Sequence, residues 1–522
     1  MGPCPGAQVI QVRTARPLPR CRCGVGTVGP VNGESRSIFS DGRLPLSVSI
    51  LTIMGLIAFS TLSVIAALPQ ITADLGDVEL LSWVVTAFLL TSTIGAVAAG
   101  PIIDGLGVRA TFRVAVTLFL AGTAACAGAP TMMSLILFRA VQGAGGGLLM
   151  AVIFTAIGLA YPENLRARAL AANSVVWGTM AIGAPAVAAL FVTTTGWQGV
   201  FLVLLPIGLA AGALGWNHLP RRAEGAPERI DFDTTGIVLL AGLTTVSLIG
   251  FSGFSWRSAA ALLAAGILAS VYWVYSGRAG NPVMARRYFA EKPLGLITFV
   301  SAAGFGAVVG LDAFLPMYVR GGLGRSAALA AFSVAFLTFG WASASIVVSR
   351  LLDRIAASSL ALVAYALLIP ALTLGLLVYS TTTPIVLVIA IAYVLGVGVG
   401  TLRISMLSLL QSEANPAEMG RASAAHQYVR GLTHLYGTAM VGTILLHVVR
   451  DRIGDLDAVQ RLLAGEELAA AADAASGIAA GFRLGHIAAL VLCVMGLVAA
   501  VPLHRHLARR TEIRTAELSS DP

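Results

Sequence analysis

Lysine is nearly absent: Lys292 is the only one in 522 residues. A Walker A loop needs a lysine directly before serine or threonine to reach nucleotide phosphates, and Lys292 is followed by Pro293, so the chain carries no such motor of its own. Charged residues of both signs make up only 11%, too few to hydrate the surface of a water-soluble domain. Cysteine is scarce too. Cys4, Cys21 and Cys23 lie near the N-terminus and Cys126 and Cys493 within apolar segments, which gives no disulfide framework. Cys21 and Cys23 lack further ligands nearby, so neither a metal nor a cofactor is expected. The histidines form no HExxH pattern and no nucleophile stands beside a base, so the chain does not read as an enzyme.

Apolar residues fill the space these absences leave. They amount to 57% of the chain, with a mean hydropathy of +0.85, and the solvent for most of the protein is therefore lipid. A span needs about 20 apolar residues to cross about 30 Å of hydrocarbon. Fourteen segments qualify, at 45–69, 80–101, 111–128, 131–160, 168–194, 198–217, 234–254, 258–277, 293–319, 327–349, 357–379, 384–410, 423–447 and 485–504. An even number places both termini on one side. Eighteen basic residues fall on the connections and C-terminal tail of that side and seven on the other, so the positive-inside rule puts both termini in the cytoplasm. The formal charge of +9 is scattered over short connections, which speaks against nucleic acid as a partner. Abundant alanine, glycine and arginine suggest a high-GC bacterial source, and hence an inner-membrane location.

The expected organisation is a disordered cytoplasmic tail (1–44), a six-helix bundle (45–218), a linker with two extra spans (219–292), a second six-helix bundle (293–504) and a cytoplasmic tail (505–522). The second bundle carries an external loop, 448–484, which reads equally as an amphipathic helix or as a solvated spacer.

Several motifs stand at the ends and middles of these segments. Gly100-Pro-Ile-Ile-Asp104-Gly-Leu-Gly107-Val-Arg109 links the second and third. The fourth carries Arg139-Ala-Val-Gln142-Gly143-Ala-Gly145, and the fifth carries Gly178 and Gly183-Ala184-Pro185. Asp353-Arg354 is a shortened copy of the first loop. This set resembles the major facilitator superfamily, in its fourteen-helix drug:proton antiporter branch. The resemblance implies an all-α integral membrane fold of two six-helix bundles plus two inserted helices. It also implies proton-coupled efflux of small apolar or cationic compounds by alternating access, as a monomer, with a small-molecule substrate, protons and the lipid bilayer as partners. Transport of one dedicated metabolite, lipid or siderophore remains the alternative. Gly105 and Val108 replace basic residues of the loop motif, and Ser60 stands where many such antiporters carry an aspartate in the first helix.

Away from their ends, the segments hold four charged residues: Arg139, Asp312, Arg403 and Arg430. Each costs at least about 2.5–3.5 kcal/mol at mid-bilayer, so each is a functional candidate. The resemblance makes the first, fourth, ninth and twelfth segments line the central cavity, where Arg139, Asp312 and Arg403 lie. Arg139 and Asp312 sit roughly 10–13 Å inward from the outer edge. They are expected to approach one another across the bundles in at least one state, either as a proton-coupling pair or as a fixed ion pair. Arg403 either snorkels to the interface or binds an anionic group. His426, Arg430 and His434 follow at i, i+4 and i+8, with His434 as a candidate proton carrier. Gly100, Asp104, Gly107, Arg109, Asp353 and Arg354 are expected to form a conformational gate in which a carboxylate meets a helix N-terminus. Gln142, Gly143, Gly145, Gly183 and Pro185 complete the helix motifs, the glycines of the fourth segment serving close packing.

Overall fold

The computed structural model describes residues 37–77, 80–220, 233–251, 253, 255–415, 418–453 and 471–520. No water is available in a bilayer core to satisfy peptide groups, so a spanning chain must pair them within helices. The spans are α1 (Leu44–Leu75), α2 (Leu81–Leu106), α3 (Val108–Ala127), α4 (Met132–Ala160), α5 (Glu163–Thr194), α6 (Gln198–His218) and α7 (Thr234–Phe251). They continue with α8 (Trp256–Arg278), α9 (Leu294–Gly322), α10 (Ala327–Leu351), α11 (Ala357–Val378), α12 (Ile385–Glu413), α13 (Met419–Ile453) and α14 (Ala471–Ser520). Thirteen satisfy the length and hydropathy of a span outright. The fourteenth, α5, is bent by 41° between Ala181 and Gly183. Pro185 explains the bend, because its ring excludes the carbonyl four residues earlier, that of Ala181.

Each expected segment falls on one helix, but the ends differ. α13 and α14 extend into 448–453 and 471–484, which were expected to be loop, and α14 continues through 505–520, which was expected to be tail. Residues 454–470, the rest of that loop, lie outside the described residues, as do 1–36 with Cys4, Cys21 and Cys23, and 221–232 of the linker. α9 is not a continuous α-helix. Its α-helical part ends at Asp312, followed by one turn (Leu315–Met317) and a π-helical turn (Tyr318–Gly322).

The two halves repeat one packing scheme. In the first, α4 lies between α2 and α3, and α1 packs on α5 and α6; in the second, α12 lies between α10 and α11, and α9 packs on α13 and α14. The tight crossings rest on glycine. A Cβ at Gly143 would lie 2.9 Å from Phe88 Cα, and one at Gly145 2.8 Å from Phe119 Cα, so α4 touches α2 and α3 backbone to backbone. The halves meet along two seams related by the repeat, α2 with α13 and α5 with α10.

The inserted pair α7–α8 breaks this symmetry. Its helices pack on each other, and α7 also packs on α13 and α2. Thr244 Oγ1 lies 2.9 Å from Tyr428 OH and Ser247 Oγ 2.6 Å from Tyr436 OH, and Thr443 Oγ1 donates to Phe251 O at 2.8 Å. Asp233 caps α7 by accepting from Gly236 N (2.7 Å), and it also accepts from Val283 N (2.9 Å) and Tyr275 OH, tying the connection after α8 to the start of α7.

Candidate functional site: two ion-pair locks and a buried basic core

One face of the bundle gathers the α2–α3 turn, the start of α5, the α10–α11 turn and the start of α13. It is the face whose connections are rich in arginine. Gly107 ends α2 and starts α3 with φ of 83°, a left-handed conformation that suits glycine. This sharp corner presents Asp104 to α13. The carboxylate lies against Gly420, at the N-terminus of that helix, and its Oδ2 lies 3.2 Å from Arg421 Nε. The distance is that of an ion pair, although the angle is not that of a hydrogen bond. Gly100 and Gly420 make the approach possible. A Cβ at Gly100 would lie 3.1 Å from Arg421 Cα, and one at Gly420 2.9 Å from Ile103 Cγ2.

The repeat generates a second lock at the other seam, where Arg168 at the start of α5 lies 3.6 Å from Asp353 after α10. The locks differ in exposure. The side chains of Arg421 and Asp104 are 14% and 12% exposed, those of Arg168 and Asp353 38% and 46%. Arg354 belongs to neither. It lines a cleft of about 830 Å³ on this face, together with Arg166, Glu413 and Arg510. Arg109, expected at the gate, turns instead to its own half: Nε and Nη2 donate to Leu219 O just beyond α6, at 2.9 and 2.7 Å.

Toward the opposite face, Arg139 is buried inside the first half. Its Nε donates to Val84 O (3.1 Å), and Nη1 donates to Ser60 Oγ (3.0 Å) and Gln142 Oε1 (2.6 Å). Gln142 Nε2 donates in turn to Thr123 Oγ1 at 2.7 Å, and the guanidinium lies 4.1 Å from the centre of the Phe88 ring. Four helices are thus pinned by one side chain. The expected approach to Asp312 is not made in this structure, because the partners of Arg139 all come from α1, α2 and α4. Asp312 closes the α-helical part of α9, and its buried Oδ1 has no hydrogen-bond partner among the described residues. A Cβ at Gly183 would meet nothing within 4 Å among the described residues, whereas Gly178 sits in the α5–α10 seam, where a Cβ would lie 3.4 Å from Ala342 Cβ.

The second half holds a basic core at mid-depth. Arg403 on α12 is buried between Trp341 of α10 (5.3 Å) and Phe154 of α4 (5.6 Å), so it spans the two halves. It does not snorkel. Arg430 lies 4.6 Å from the Phe305 ring on α9, Ser301 Oγ is 3.4 Å from His426 Nε2, and the His434 ring meets Phe305 edge-on at 6.0 Å. His426, Arg430 and His434 therefore do share one face, which is turned to α9.

The repeated halves, the inserted pair and the corner at Gly107 are a transport scaffold, and comparison with known sequences names it. The sequence profile of the Major Facilitator Superfamily matches residues 48–438. The chain belongs to the major facilitator superfamily. Within it, the chain is 28% identical over 392 residues to the multidrug transporter protein MdtP of Bacillus subtilis, covering 73% of this chain and 71% of that one. It is 26% identical over 443 residues to a probable multidrug-efflux transporter of Mycobacterium tuberculosis, covering 81% and 90%. Among solved structures, the human organic anion transporter MFSD10 superposes with a TM-score of 0.63 at 13% identity, covering 88% of this chain and 99% of that one, a likeness of fold alone. The protein is thus a multi-pass membrane transporter of small molecules and not an enzyme.

For a superfamily member of this kind the loop and α4 motifs were visible as sequence, but their partners were not. Arg421 and Arg168 stand at helix starts, where a basic residue carries no distinguishing signal. Their roles follow once the second half is laid over the first, and the short Asp353-Arg354 copy was the available hint. Phe154, Phe305 and Trp341 carry no sequence signal that separates them from other aromatics of apolar segments.

Proposed function

We propose that the protein exports small, largely apolar compounds, cationic ones included, in exchange for protons. It would act as a monomer in a bacterial plasma membrane with both termini cytoplasmic. The observation that carries this reading is the pair of symmetry-related locks, Asp104–Arg421 and Arg168–Asp353. Together they close one face across both seams. Contacts of that kind can break and reform while each bundle stays intact, which is what alternating access between two repeats requires. The arginine-rich connections assign the locked face to the cytoplasm. The halves 45–218 and 293–504 act as the moving bodies, and 219–292 carries the inserted pair. The relatives named above supply the substrate class.

Proton coupling falls to Asp312, a half-buried carboxyl whose buried Oδ1 has no hydrogen-bond partner among the described residues. Arg139 organises the first half and becomes its partner only in another state, while His434, beside Phe305, is a second proton carrier. The test is ethidium efflux from cells overproducing the protein, with and without an uncoupler. Uncoupler-sensitive efflux that falls to the background level in Asp312→Asn, with protein still in the membrane, is the expected result. Full efflux in that variant removes Asp312 from the mechanism; no efflux above control from the unaltered protein turns the reading toward a dedicated transporter.

A further inference from the structure

Among the described residues, the arginines of the mid-depth core have no counter-charge in contact with them. Arg403 lies ten residues before the end of α12 and Arg430 eleven after the start of α13, which places both about 15–17 Å from the locked face. That is the middle of a hydrocarbon layer about 30 Å thick. Neither forms an ion pair with a carboxylate among the described residues. Arg403 Nη2 and His426 Nδ1 are buried without a hydrogen-bond partner, and so is Trp341 Nε1. The two guanidiniums lie within Coulombic reach of each other, and His426 and His434 within reach of Arg430.

Between the arginines runs an aromatic bridge. Arg403 lies over Trp341, Trp341 meets Phe305 edge-on at 5.9 Å, and Arg430 lies over Phe305. Phe154, from the other half, closes the far side of Arg403. Ring faces attract cations by at most a few kcal/mol and leave the net charge in place. Two uncompensated guanidiniums at mid-bilayer are held at a cost that a bound anion removes.

We propose that this core is a binding site for aromatic anions. A carboxylate, sulfonate or phosphate would be gripped by Arg403 and Arg430, with its ring lying against Trp341, Phe305 and Phe154. The unpartnered Nη2 and Nδ1 groups then find acceptors, and the forked geometry of arginine favours a planar or multidentate oxyanion. Because Phe154 belongs to the first half and the arginines to the second, a ligand here touches both moving bodies. Binding is thereby coupled to their relative position. The inference rests on the exporter reading only for the direction of travel, and it extends the transported range to organic anions.

The test measures binding without any gradient. The full-length protein in nanodiscs is titrated with radiolabelled naphthalene-2-sulfonate by scintillation proximity, with trimethylphenylammonium and sodium sulfate as competitors. Saturable binding is expected, displaced by excess unlabelled naphthalene-2-sulfonate but not by trimethylphenylammonium. Sulfate should compete at least tenfold more weakly, since it lacks the ring. Arg403→Gln and Arg430→Gln should each weaken binding about tenfold or more, while Arg403→Lys, which keeps the charge, should lose less. Melting temperatures establish that the variants fold. Should both glutamine variants fail to fold, the competition on the unaltered protein decides alone. No saturable binding, equal competition by the cation, or unchanged affinity in folded Gln variants overturns the proposal. Equal competition by sulfate overturns its aromatic part and leaves an inorganic-anion site. Lost ethidium efflux with intact naphthalene-2-sulfonate binding would count against the exporter reading and not against this site.

Discussion

Arg139 shows what a single buried charge can organise. Its guanidinium donates to α1, α2 and its own helix, and through Gln142 it reaches α3. Lysine is a point charge and cannot serve this fork. Arg139→Lys should therefore leave the protein in the membrane but lower ethidium efflux about tenfold, as measured against the amount of protein by immunoblot. Normal efflux would show that charge alone suffices. The motif marked Arg139 as important from sequence, but the partners it has in this structure, Ser60, Val84 and Gln142, carried no signal there. Depth along two helices can be counted from sequence, whereas which side of each helix faces the other is set by packing. Ser60 is the instructive residue. It was noticed for the acid it replaces, and it is a hydroxyl within hydrogen-bond reach of the same arginine.

Helices here are held by contact rather than by hydrophobic exclusion, since lipid tails are as apolar as the side chains they would displace. The glycines of α4 are then structural necessities. Gly145→Leu would force a side chain against the α3 backbone at Phe119. It should cost about 1–3 kcal/mol or more, seen as a lower melting temperature in detergent and less protein in the membrane; an unchanged melting temperature would mean that α3 can move aside. Span number and order were legible because about 20 apolar residues in a row have few other fates. Span ends were less so: α13, α14 and α9 all end where hydropathy gives no sharp signal. The break after Asp312 follows from Pro316, whose ring excludes the carbonyl of Asp312 as that of Pro185 excludes the carbonyl of Ala181.

Across the whole molecule, the two locks are copies of one contact but not equals. The Asp104–Arg421 pair is largely shielded and adds a helix N-terminus, whereas Arg168–Asp353 is half in solvent, where such pairs contribute about 0.2–1 kcal/mol. Asp104→Asn should thus open the locked face more than Asp353→Asn, and the double variant most. Spin-label distances between α2 and α13 at that face would measure it. Equal widening by both single variants would mean that shielding does not set lock strength. The first lock was half visible in the sequence, as an acid expected at a helix N-terminus. The second became visible only through the repeat.

The inserted pair has a consequence for traffic from the bilayer. α7 is bonded along α13 and packs on α2, so one of the two seams is screened from lipid tails, while among the described residues the α5–α10 seam has no such screen. An otherwise symmetric molecule acquires a front and a back. Among the described residues, the seam left bare to a compound dissolved in the membrane, rather than in water, is the one beside the bend of α5.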